Sequence, residues 1–134
     1  MKRNSFCLGV KKGEKMYIIK KPIPGFENIN NANFKQIDEN FAVLQIGDYV
    51  FTLINPFALI PDYSFEIPAD VKVLLDISEN NPPFVYCNLI KKEPFTESIV
   101  NFKAPILLNP KNNTLAQVVL DEYGYGKLKD FIKE

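Results

Sequence analysis

The chain has 134 residues, 46% of them apolar and 24% charged, with sixteen Lys plus Arg balancing sixteen Asp plus Glu. That mix is the ordinary one of a soluble globular protein, and a net charge of zero argues against a dedicated nucleic-acid binder, which carries a basic excess for the phosphates. The sequence holds no His, which excludes Ser/His/Asp and Cys/His catalysis, imidazole metal sites and imidazole pH switching.

Met1-Lys2-Arg3-Asn4-Ser5 is basic but leads into a short apolar stretch broken by Gly9 and Lys11. It has no signal-peptide form, nothing in the chain approaches a membrane span, and the expected location is cytoplasmic. Short runs rich in Phe, Tyr, Ile and Val, broken by Pro and Gly, predict antiparallel β-structure. Strands are expected over Ser5–Val10 and Lys15–Lys20, joined by the turn Lys11-Lys12-Gly13-Glu14. Pro22-Ile23-Pro24-Gly25 stops the sheet, since neither proline donates a ladder hydrogen bond. Further strands follow over Phe34–Ile37, Phe41–Ile46 and Tyr49–Ile54, with turns at Asp38-Glu39-Asn40 and Gly47-Asp48.

The stretch from Leu53 to Pro68 is apolar yet carries Pro56, Pro61 and Pro68. Three prolines bar it from a helix or a central strand. It reads either as an extended sheet edge open to strand addition by a partner, or as a crossover between two layers. Ala69–Asp76 fits a short helix through Val71, Leu74 and Leu75, and fits a strand equally through Val71, Val73, Leu75 and Ile77. Phe84–Ile90 has the apolar pattern of a central strand, and Ile99–Leu108 and Thr114–Leu120 flank the turn Asn109–Asn113. Over Tyr125–Glu134, Leu128, Phe131 and Ile132 fall on one helical face. The expected fold is a mainly β, small antiparallel β-barrel-like single domain with one or two short helices.

Candidate chemistry is sparse. Cys7 and Cys87 stand eighty residues apart among apolar neighbours and read as buried free thiols in a reducing compartment. No metal-ligand spacing and no phosphate-cradling glycine loop occurs, so no metal and no cofactor is expected. Asp62 and Glu66 are the nearest apolar-flanked carboxylates, but four residues along a strand spans ~13 Å, too far for a retaining pair. The chain reads as no enzyme. Charge is uneven: residues 1–37 hold eight basic and two acidic side chains, whereas residues 38–79 hold eight acidic ones against Lys72. The middle segment can steer a basic partner through local potential, unless its carboxylates scatter over separate turns. An OB-like barrel stacking single-stranded nucleic acid on its aromatics is the rival reading.

Ile54-Asn55-Pro56 followed by Pro61-Asp62-Tyr63 resembles the most recognisable stretch of the flagellar assembly factor FliW family. Leu8-Gly9, Ile23-Pro24-Gly25-Phe26-Glu27 and Leu44-Gln45 extend the resemblance upstream. Val100-Asn101-Phe102-Lys103-Ala104-Pro105-Ile106, Asn109, Gln117 and Tyr123 continue it downstream, in the family's order. Val43, Ile46 and Phe102 depart from the residues usual at their places. The resemblance implies that residues 1–134 form one FliW-like β domain, a non-catalytic cytoplasmic adaptor that engages neither nucleic acid nor membrane. Its implied partners are flagellin and CsrA, an RNA-binding translational repressor of flagellin synthesis. Candidate contact residues are Asp38, Glu39, Asp62 and Glu66 for charge complementarity, with Asn55, Phe57 and Tyr63 for contact or for shaping the edge. Phe26, Ala104, Pro105 and Asn109 read as scaffold.

Overall fold

Runs of six residues that alternate apolar and polar side chains build the first half of the sheet. The computed structural model describes residues 14–132, so the strand expected over Ser5–Val10, and Cys7 with it, lie outside the described residues. Strands β1 (Glu14–Ile19), β2 (Asn31–Gln36), β3 (Phe41–Ile46) and β4 (Tyr49–Ile54) form an antiparallel meander. Asp38 closes the β2–β3 turn, its carboxylate accepting from the N–H groups of Asn40 at 2.9 Å and Phe41 at 2.8 Å. Gly47 closes the β3–β4 turn at a φ of 59°, a left-handed conformation that glycine adopts without steric penalty.

Strands β5 (Phe84–Ile90), β6 (Ile99–Asn109) and β7 (Thr114–Gln117) complete the sheet. β6 pairs with β5 on one side; on the other, Ile106–Asn109 pair with β7 and Ile99–Asn101 with β8 (Tyr125–Lys127). The pairing of β5 with β6 closes seven strands into a barrel, with β8 added outside the ring. The expected β-barrel is thus observed. One seam departs from the antiparallel expectation: β7 lies parallel to β1, with Ile18 opposite Thr114. Local patterning has no means of signalling it, because parallel pairing is set by distant chain segments.

Two apolar layers result. Tyr17, Ile19, Phe34, Leu44, Leu53, Tyr86, Ile106, Leu108 and Leu115 fill the barrel. A second cluster covers the outer face of β4 to β7, where Ile54, Cys87, Leu89, Val100, Leu107 and Ala116 meet Val71 and Leu75 of helix α1 (Ala69–Leu75). The helix wins over the strand reading of that stretch because Val71 and Leu75 are fully buried while Val73 is 80% exposed, a period of four rather than two. Asp76 ends α1 in the left-handed conformation, its N–H directed to the carbonyls of Lys72 and Val73.

The helical face expected over Tyr125–Glu134 is corrected. Residues Tyr125–Lys127 are strand and Leu128–Asp130 a single 3-10 turn, with Leu128 buried and Ile132 exposed. Gly126 explains the choice: a Cβ there would lie 2.8 Å from the Phe131 ring, so the strand accepts the ring only because the side chain is absent. Among the described residues no helix is long and apolar enough to cross a membrane.

Candidate functional site

The proline-rich stretch is the crossover, not a paired edge strand. After β4, Asn55 turns the chain: its N–H bonds the Asn40 carbonyl at 2.7 Å and its side-chain oxygen accepts from the Phe57 N–H at 3.0 Å. Pro56 then opens a 3-10 turn, Pro56–Ala58, in the position where a missing N–H costs nothing. The chain passes over the outer face of the barrel and enters α1 at Pro68.

Tyr63 pins this crossover. It is 2% exposed, and its hydroxyl donates to the Phe102 carbonyl at 2.8 Å and accepts a long contact from the Cys87 thiol at 3.8 Å. Burial, with the thiol beside it, pushes the Tyr63 phenol above its ordinary range. Burial likewise pushes the Cys87 thiol up to about 12 against the opposing effect of its hydrogen bond to Tyr63, so the thiol stays protonated and inert. The Tyr123 ring lies 4.6 Å from that of Tyr63, and its hydroxyl donates to the Ser64 carbonyl while accepting from the Ser64 N–H. Tyr63 and Tyr123, which carry the sequence resemblance, therefore meet in one cluster with Phe102, which departs from the usual residue at its place.

Where the crossover leaves β4, a cleft of about 210 Å³ opens between the β2–β3 turn and the start of β5. Gln36, Glu39, Asn55, Phe57, Pro83, Phe84, Val85 and Tyr86 line it. Phe57 and Phe84 stay 40% and 37% exposed at its mouth, and Glu39 is the one charged side chain among the described residues of the lining. The structure thus brings together Glu39, Asn55 and Phe57 of the candidate contact residues. Asp38 is adjacent in sequence, but its carboxylate holds the turn. Asp62 and Glu66 are exposed on the crossover and do not line the cleft, whereas Tyr63 lies beneath the surface, where it shapes the crossover. Sequence reasoning missed Pro83, Phe84 and Val85, the last two of which read as the start of a central strand. The signal available was Pro82-Pro83, a pair that keeps a strand's first residues from being sealed on both sides.

Among the described residues no group of three or more Cys, Asp or Glu side chains is placed to hold a metal ion. The fold defines a small closed β-barrel that carries, where the crossover leaves β4, an apolar cleft with an acidic side chain in its lining. The comparisons with known proteins are specific. The FliW protein family model matches residues 6–130. Flagellar assembly factor FliW 1 of Wolinella succinogenes is 38% identical over 128 residues, covering 89% of this chain and 99% of that protein. Flagellar assembly factor FliW of Campylobacter lari is 40% identical over 125 residues, covering 87% and 95%. A crystal structure of the flagellar assembly factor FliW superimposes with a TM-score of 0.78 at 25% identity, covering 95% of this chain and 92% of that one. The chain belongs to the FliW family.

Proposed function

We propose that this chain is a cytoplasmic, non-catalytic adaptor of flagellar assembly that binds flagellin and a CsrA-type translational repressor in exchange for one another. The observation that carries the reading is the family match across residues 6–130, with relatives named flagellar assembly factors at about 40% identity. The chemistry of the surface supports it: an apolar cleft with two half-open aromatic rings suits a protein ligand, since such rings give contact area at low entropic cost.

Function here is occupancy. Two ligands that exclude each other from one protein are linked, so the free pool of one sets how much of the other is held. When flagellin leaves by export, the vacated adaptor takes up the repressor and flagellin synthesis proceeds. When flagellin accumulates, the repressor is released. The test is a competition with purified components: repressor bound to the immobilised protein should be displaced by flagellin in a saturable way. A stable ternary complex would overturn the exchange, and retention of neither ligand would overturn the adaptor itself.

A further inference from the structure

The hydrogen bonds around β7 fix where the backbone groups of β5 point. Ile18 N–H donates to the Asn113 carbonyl at 2.8 Å and Lys20 N–H to the Leu115 carbonyl at 2.9 Å, so Leu115 turns its polar groups toward β1. Its neighbour Ala116 faces the other way, toward Leu107 of β6, consistent with Val118 N–H donating to Pro105 at 3.0 Å and Leu120 N–H to Lys103 at 2.7 Å. Leu107 therefore spends its N–H and C=O on β7, while Ile106 and Leu108 direct theirs to Tyr86 and Phe84 of β5. Val85, between those two, points its N–H and C=O away from β6. On that side β4 would be the partner, but the β4–β5 pairing stops at Ile54 opposite Cys87, and the chain then turns off through Asn55.

Among the described residues, neither backbone group of Val85, a half-buried residue of the cleft wall adjacent to Phe84, has a partner. A strand amide and carbonyl without protein partners are the recognition element of strand addition. The rest of the lining says what is added. Phe57, Pro83 and Phe84 offer apolar contact, Gln36 and Asn55 offer amide side chains, and Glu39 sets one negative charge with no positive one among the described residues of the lining. We propose that this cleft takes an extended segment of a partner protein, hydrogen-bonded to both backbone groups of Val85. One apolar side chain of the segment packs against Phe57 and Phe84, and a flanking Lys or Arg faces Glu39. The assignment rests on the adaptor reading for its biological partner, but the site is testable without one.

The probe is a blocked pentapeptide with three apolar β-forming residues between two lysines, titrated into the isotope-labelled full chain and followed by NMR. Saturable shifts of the Val85 and Phe57 amides are expected, with at least about fivefold weaker binding when the flanking lysines become glutamates or the apolar residues become serines. Val85→Pro removes the donor without touching the β5–β6 ladder and should weaken the peptide about tenfold, the loss of one hydrogen bond. Glu39→Lys, on an exposed turn, tests the same cleft without any risk to the strand and should weaken the lysine peptide several-fold, an effect that salt removes. Absence of saturable shifts, or binding indifferent to both substitutions, would overturn the assignment. A protein that binds the peptide in this way yet retains neither flagellin nor the repressor would leave the cleft standing and remove the adaptor reading instead.

Discussion

At the scale of single residues, Tyr63 shows how a motif that looks like a contact surface works from inside. Its ring contacts Phe57, Phe65, Phe102 and Tyr123, and its hydroxyl satisfies a main-chain carbonyl of β6. Tyr63→Phe keeps the ring and leaves the Phe102 carbonyl without that donor, which should cost about 1–2 kcal/mol in urea unfolding. The alkaline side of the stability curve belongs to Tyr63 and Cys87 of this cluster together with Tyr17 inside the barrel. Tyr17, Tyr63 and Cys87 all hold their protons more tightly folded than unfolded, so the unfolded state loses protons first as pH rises. Their stabilisation is complete below the unfolded thiol value of about 8.5 and is lost progressively above it. Wild-type urea midpoints should fall between pH 8 and pH 11, and Tyr63→Phe should flatten the fall. A midpoint unchanged over that range would contradict the buried, protonated state of these three groups.

At the scale of elements, legibility tracked whether the deciding interactions were local. The hairpins from Phe41 to Ile54 read correctly because turn chemistry and alternation sit side by side in the sequence, and β3 and β4 have the expected bounds. β7 ends at Gln117 rather than Leu120, where its register with β6 runs out at Ile106 opposite Gln117, a distant cause. The helical spacing over Tyr125–Glu134 misleads for a similar reason: it is real, but the edge of β6 claims Tyr125–Lys127 first. Of the site, the crossover half was visible through Asn55 and Phe57, while Val85 was invisible, since its character comes from the point where another strand turns away. The scaffold reading of Asn109 gains a specific content. Its buried amide donates to the Leu75 carbonyl at 2.6 Å and to that of Asp76 at 3.3 Å, fastening the end of α1 to the end of β6. Its oxygen accepts from the Lys111 N–H at 3.0 Å, shaping the turn into β7. Asn109→Ala should therefore cost about 2 kcal/mol, with amide exchange accelerating first in α1 and in the turn, ahead of the barrel strands. Uniform acceleration across the sheet would mean the residue holds the barrel rather than the helix.

For the whole molecule, net charge says nothing about encounter, but its distribution does. The exposed carboxylates Asp62 and Glu66 ride on the crossover, on a chain segment where acidic side chains greatly outnumber basic ones. They sit outside the cleft lining, so on the proposed adaptor reading they would act on the approach of a basic repressor rather than on the seated contact. Long-range attraction lowers the barrier to encounter and is screened over about 8 Å at physiological salt, whereas packed contacts govern dissociation. Reversing both charges, Asp62→Lys with Glu66→Lys, should reduce the association rate with the repressor about five- to tenfold at low salt. The dissociation rate should stay within about twofold, and the two proteins should converge as salt rises. Substitutions in the cleft should do the reverse, raising dissociation with little effect on association. Stopped-flow association at two ionic strengths separates the two behaviours. An unchanged low-salt association rate for the double variant would show that the acidic crossover steers nothing, and the exchange of partners would then have to rest on the seated contacts alone.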